Sequence, residues 1–273
     1  VGPAGDCANW KTNFGLKVED FGSRTRVLTE GSLPAGCSGE RHLAVLDHFT
    51  YTASLFRMLW RELGGTLNGS VREGVSPADS VVFAQSFSPE LPLVLRDINK
   101  YSNNPMARQL YLTLGAAFGL PEDGPDTASR AAAVVRRWLA GKNWNWPELV
   151  LENGSGLSRS ERISARHLAD VLVDAARGPW AAEFIASLPI VAVDGTMKNR
   201  LPGDVLAGEA HIKTGSLKDV RGLAGYVRDA DGRLRVVVAL LNHSRAENGA
   251  RVLDQVLRVA GNRAALAVAG VAR

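Results

Sequence analysis

Seven residues near the C-terminus, RVVVALL from Arg235 to Leu241, constrain the fold most. After the arginine the apolar residues follow one another without alternation, the pattern of a strand covered on both faces. Such a strand suits a sheet edge poorly, because its free N–H and C=O groups would lie beside bare apolar surface. It therefore needs a neighbour on each side. One is at hand: EAHIKTGSL and GLAGYVRD are strand-like, and DADG makes a tight connection into RLRVVVALLNH. After it comes only ENGARVLDQVLRVAGN, an amphipathic helix with Val252, Leu253, Val256 and Leu257 on one face. No earlier segment is an obvious second partner, so part of the sheet is expected to come from outside this chain.

Upstream, the character of the sequence changes near residue 85. Before it, RTRVLTEG reads as a strand, and His48 to Leu63 has helical spacing with a stop at Gly64 and Gly65. TLNGSVREG and SVVFAQS read as further strands of a small mixed α and β unit. After it, SPELPLVLRDINK begins with Ser88 as cap and Pro89 as first helical residue, and carries Leu91, Val94, Leu95 and Ile98 on one face. PMARQLYLTLGAAFG, ASRAAAVVRRWLAG, SARHLADVLVDAARG and PWAAEFIASL read as helices, several with glycine just past the end as a left-handed stop. Helices before and after a group of strands predict an α+β fold, helices on an antiparallel sheet.

With 273 residues and 45% hydrophobic content the chain can bury a substantial core. Its net charge is +4 and its pI about 9.3, but the arginines are dispersed, without a basic run or interleaved aromatics, which excludes nucleic acid as the expected partner. No segment approaches the roughly 18 apolar residues of a membrane span. The start, VGPAGDCANW, lacks the pattern of a signal peptide, so any export signal is expected to have been removed or not included. Cys7 and Cys37 are either two separate buried thiols or a disulfide closing a loop of about 30 residues. The Gly-, Ser- and Thr-rich segment between them has little core of its own and favours the bridge, hence an oxidising compartment.

Two short motifs carry chemistry. In KYSNNPMARQ, Ser102 and Asn104 stand just before Pro105, where Asn104 is placed to cap a helix. In HIKTGSL a period of two puts His211, Lys213 and Gly215 on one face and Thr214 and Ser216 on the other, unless the strand bulges at the glycine. Gly215 leaves room for a substrate backbone, Lys213 supplies a cation, and Thr214 and Ser216 supply hydroxyl donors. Together these suit a substrate with a free carboxylate next to an amide carbonyl.

Ser102-Asn103-Asn104 followed by Lys213-Thr214-Gly215-Ser216 resembles the second and third motifs of the penicillin-recognising serine hydrolases, the group of penicillin-binding proteins and serine β-lactamases. The run NGSGLSRSERISARHLADVL, with VDGTMKNRL and KTGSLKDVRGLAGYV, is similar to the D-alanyl-D-alanine carboxypeptidase and endopeptidase branch of low-molecular-weight (class C) penicillin-binding proteins. The resemblance covers most of residues 86 to 260. It implies a periplasmic serine peptidase acting on peptidoglycan stem peptides and sensitive to β-lactams, without metal or organic cofactor; a serine β-lactamase and a non-catalytic peptide-binding module are the alternatives.

The resemblance also implies roles. Ser102 passes a proton towards the leaving amine, Asn104 hydrogen-bonds the substrate amide, Lys213 adds positive potential, and Thr214 and Ser216 bind the terminal carboxylate. The Ser216 N–H, beside Gly215, is one of two oxyanion donors. Gly156 and Leu157 form one wall of the cleft. The family's nucleophile is the serine of a Ser-x-x-Lys motif, and no serine here has lysine at the third place. In the family that motif precedes a large inserted domain. The expectation is therefore residues 86–273 as the C-terminal part of the catalytic domain, incomplete at its N-terminus, and residues 1–85 as the remnant of the insertion, with an N-terminal remainder as partner. Glu152 is not expected to act as the deacylating glutamate of a class A β-lactamase, because GSGLSRSERIS follows the other pattern. His42, His48, His167, His211 and His243 show no metal-ligand spacing; His211 alone shares a strand face with Lys213. The six tryptophans read as packing residues.

Overall fold

A computed structural model describes residues 7, 14–20, 25–40 and 43–261. They fall into two compact units, Val1–Gln85 and Ser86–Arg273.

In the first unit, β1 (Phe14–Asp20) pairs antiparallel with β2 (Thr25–Gly31). Cys7 and Cys37 form a disulfide, with their Cα atoms 5.4 Å apart. Helix α1 (His48–Glu62) starts where the Asp47 carboxylate accepts bonds of 2.9 Å from the Phe49 and Thr50 N–H groups. It stops before Gly64, whose φ of 84° is the left-handed stop predicted there. TLNGSVREG and SVVFAQS are not strands: residues 66 to 87 are irregular, and Phe83 is 101% exposed. A short apolar run between turn residues forms a strand only where another strand's edge accepts it, and no described strand pairs with this stretch.

The second unit holds the helices α2 (Leu91–Tyr101), α3 (Asn104–Phe118), α4 (Thr127–Gly141), α5 (Ala165–Arg177) and α6 (Ala181–Ser187). Strands β3 (Ala210–Leu217), β4 (Val220–Arg228) and β5 (Leu234–Asn242) follow, then α7 (Ala250–Gly261). Helix α2 starts later than predicted, with Glu90 rather than Ser88 at its cap and Pro92 in its first turn. Gly119 and Gly178 do follow α3 and α5, but both are extended (φ −77°), so those helices end without a left-handed glycine. Helices α3 and α4 pack at Gly115, where a Cβ would stand 2.1 Å from the Thr127 carbonyl oxygen.

The sheet is antiparallel in the order β3-β4-β5. On one face Leu253 and Leu257 of α7 bury Ile212, Leu223, Val227 and Val237 together with Met197 and Leu206. Val252 of the expected apolar face points to solvent instead. On the other face Leu172 of α5 and Leu188 pack on Tyr226, whose hydroxyl donates to the Leu172 carbonyl at 2.6 Å. Gly225 brings β4 against β3, a Cβ there falling 2.0 Å from the His211 carbonyl oxygen.

Strand β5 lies at the edge of this sheet, with β4 as its one described neighbour. The two-sided burial predicted for RVVVALL is therefore not met among the described residues. Only Val237 is fully buried, and Leu240 is 41% exposed.

Candidate active site

A cleft of about 370 Å³ opens between the α2–α3 junction, the loop around Gly154 to Leu157, and β3 from Lys213 to Ser216. The junction answers why short polar residues occur together there. Ser102 ends α2 in the left-handed conformation (φ 53°, ψ 49°). Asn103 caps α3, its side-chain oxygen accepting from the Met106 N–H at 3.1 Å. The cap is thus Asn103 and not Asn104, because Asn104 is already the first helical residue. That frees the Asn104 amide to donate to the Ser155 carbonyl at 2.5 Å.

The loop opposite is shaped by its own polar groups. Glu161 accepts from the N–H groups of Asn153 and Gly154 at 3.0 Å, and Asn153 accepts from the N–H and hydroxyl of Ser155 at 2.8 and 2.6 Å. Gly154 and Gly156 have φ of 66° and 75°, backbone that side chains rarely adopt. Gly156 and Leu157 line the cleft. Glu152 does not: its carboxylate accepts from the Ser158 hydroxyl.

Lys213 donates to Ser102 Oγ at 2.8 Å and to the Thr214 carbonyl at 2.9 Å. Burial pushes its pKa down from the ordinary 10.5, and among the described residues no carboxylate lies within ion-pair distance. The alternation of faces predicted for this strand does not separate its residues: Lys213, Thr214, Gly215 and Ser216 all line the cleft. From Lys213 onward β3 has no described neighbour on its outer edge, so residues pointing to either face reach the cleft. His211 is not in the cleft; it lies 3.0 Å from the Ile185 carbonyl, and burial foremost lowers its pKa.

Three residues that shape the site were not read from the sequence. Glu161 organises the loop, and Lys100 and Asp194 tie α2 to the segment beside β3. A lysine in the last turn of an amphipathic helix reads as a solvated cation, so nothing in the sequence marked Lys100. No group of three His, Cys, Asp or Glu side chains able to hold a metal occurs among the described residues, and no described helix is long and apolar enough to cross a membrane.

A serine and a lysine in contact beside an edge strand, under helices packed on both faces of an antiparallel sheet, is the architecture of a penicillin-binding protein. The fold is similar, with a TM-score of 0.72 and 25% identity, to penicillin binding protein 4 (DacB) from Haemophilus influenzae complexed with a novel β-lactam, covering 90% of this chain and 58% of that one. The chain belongs to the D-Ala-D-Ala carboxypeptidase 3 (S13) family, whose pattern matches residues 7–262. It is 34% identical over 232 residues to the D-alanyl-D-alanine carboxypeptidase of Actinomadura sp. (strain R39), covering 82% of this chain and 42% of that protein. It is 29% identical over 201 residues to D-alanyl-D-alanine carboxypeptidase DacB of Haemophilus influenzae, covering 73% of this chain and 41% of that protein. The chain thus spans about two fifths of the length of these curated relatives.

Proposed function

We propose that this chain carries two of the three motif clusters of a serine-type D-Ala-D-Ala carboxypeptidase or endopeptidase, and that it is inactive alone. The observation that supports this best is the contact of 2.8 Å between Lys213 and Ser102 in the cleft that Thr214 and Ser216 also line. In the full reaction a serine oxygen supplied by another segment attacks the carbonyl carbon of the D-Ala-D-Ala bond. Its proton passes by way of Ser102 to the amine nitrogen, the C–N bond breaks, and D-alanine leaves; water then hydrolyses the ester. Thr214 and Ser216 bind the terminal carboxylate, Asn104 the substrate amide, and the Ser216 N–H the oxyanion, each such donor being worth roughly 10²- to 10³-fold in rate.

The open edge of β5 supports a role for strands from the same outside segment, and residues 1–85 are then what remains of an inserted domain. The D-alanyl-D-alanine carboxypeptidase relatives support peptides ending in D-Ala-D-Ala, hence cell-wall stem peptides, as substrate, and the β-lactam complex of the Haemophilus influenzae protein supports β-lactam binding; the Cys7–Cys37 bridge fits an oxidising, extracytoplasmic compartment. A mixture of this chain with a separately made N-terminal segment carrying Ser-x-x-Lys tests the proposal. Release of D-alanine by the mixture and not by either part supports it. Release by this chain alone contradicts it.

One observation favours a second reading. In it Ser102 is itself the nucleophile, and the 2.8 Å contact places the Lys213 amine, once it has given up its proton, to accept the one on Ser102 Oγ. A β-lactam adduct formed by this chain alone and lost in Ser102→Ala identifies this case.

A further inference from the structure

Ser102 and Lys213 come from different layers, α2 and β3, and their contact needs both to be held in register. One segment, from Ser187 to Gly195, is bonded to both elements, α2 and β3. Towards β3, the Ile212 N–H donates to the Pro189 carbonyl at 2.7 Å, the Val191 N–H donates to the Ala210 carbonyl at 2.9 Å, and Ile190 pairs with His211. These bonds end one residue before Lys213. Towards α2, the Lys100 ammonium donates to Asp194 Oδ2 at 2.6 Å and to the Leu188 carbonyl at 2.7 Å. Asn99 adds a bond of 2.8 Å to the Ser187 hydroxyl. Lys100 is only 8% exposed and stands two residues before Ser102. Asp194 is fixed in turn, its other oxygen accepting from the Ile190 N–H at 2.8 Å. Gly195 lies so close to α2 that a Cβ would meet the Lys100 carbonyl oxygen at 2.6 Å.

We propose that the Lys100–Asp194 pair is a positioning device that holds Ser102 at bonding distance from Lys213. The connections close a ring: Ser102 to Lys213, along β3 to Pro189, along the segment to Asp194, across to Lys100, and back along α2. Ser102 needs such a hold, because a left-handed non-glycine residue is strained and persists only where its surroundings over-determine it. Lys100 does not line the cleft, so it acts through Ser102 and not on substrate. The inference deepens the proposed function but is tested without activity, so the two can fail separately.

The test is the double variant Lys100→Met with Asp194→Asn. It removes both charges at nearly constant volume, keeps an acceptor for the Ile190 N–H, and avoids the unpaired buried ammonium that Asp194→Asn alone would leave. Crystal structures of both proteins give the Lys213 Nζ to Ser102 Oγ distance and the Ser102 φ. ¹³Cε spectra give the Lys213 titration, resolvable because the chain has only seven lysines. The expected result is cooperative unfolding, a distance beyond 3.5 Å, Ser102 out of the left-handed region, and a Lys213 midpoint moved up towards the ordinary value. An unchanged distance and midpoint overturns the proposal and leaves the pair a stabilising contact only. If the double variant does not fold, Lys100→Arg keeps the pair and should keep the wild-type midpoint; a moved midpoint in that folded variant also overturns it.

Discussion

Lys213 Nζ donates a hydrogen bond of 2.8 Å to Ser102 Oγ, joining two motifs 111 residues apart. The bond leaves the Ser102 proton free to go to another acceptor. Lys213 itself carries its charge at a cost, since burial disfavours the ammonium and no described carboxylate compensates it.

That cost predicts a trade between stability and function. The folded pKa of Lys213 lies below the ordinary 10.5, so between the two values the unfolded chain binds more protons and stability rises with pH. Below the folded value the full penalty applies. Lys213→Met should therefore unfold at a temperature at least as high as the wild type at pH 7, with any advantage shrinking as pH approaches 10.5. Melting curves from pH 6 to pH 10 check this, and a variant less stable at pH 7 speaks against it.

The adjacent asparagines should separate cleanly. Asn103→Ala removes a helix cap and should cost about 1 kcal/mol, roughly 2 to 4 °C in Tm, while leaving the cleft's donors in place. Asn104→Ala should cost a similar ~1 kcal/mol through its lost bond to Ser155 and, unlike the first, abolish retention on an immobilised D-Ala-D-Ala peptide. Equal retention by the two variants would contradict the assignment.

Gly154 should not tolerate alanine. Its φ is 66°, and a Cβ would stand 2.3 Å from the Tyr111 Cβ, so Gly154→Ala combines strain with overlap and should cost more than about 1 kcal/mol. Gly203→Ala, with φ 77° but open space around it, is the control for strain alone. Urea titrations should rank Gly154→Ala well below Gly203→Ala.

Acid sensitivity should map in part to Glu148. Hydrogen bonding from Ser164 foremost, with a further bond to His167, lowers its pKa from 4.5 to about 2. The stability it contributes is fully present above 4.5 and is lost as pH falls through about 2. The gap in urea midpoint between wild type and Glu148→Gln should be constant above 4.5 and close towards pH 2. A gap independent of pH rules this out.

The order of helices and the three C-terminal strands were legible because each carries a full period of apolar residues, as β5 and α7 illustrate. Residues 66 to 87 are not strands, since a short apolar run between turn residues says nothing about whether a partner edge exists. At the site, Ser102, Asn104 and Lys213 to Ser216 were readable as motifs. Lys100, Asp194 and Glu161 were not, because their importance lies in contacts across 94 and 7 residues of sequence that local spacing cannot encode. The capping role went to Asn103 for a local reason: α3 begins one residue earlier than Pro105 suggested.

The most direct test of the account is the intact mass of this chain after incubation with a labelled penicillin. The expected result is no covalent adduct, and a stoichiometric one once the segment carrying Ser-x-x-Lys is added back. A stoichiometric adduct on the chain alone, lost in Ser102→Ala, would contradict it and make Ser102 the nucleophile.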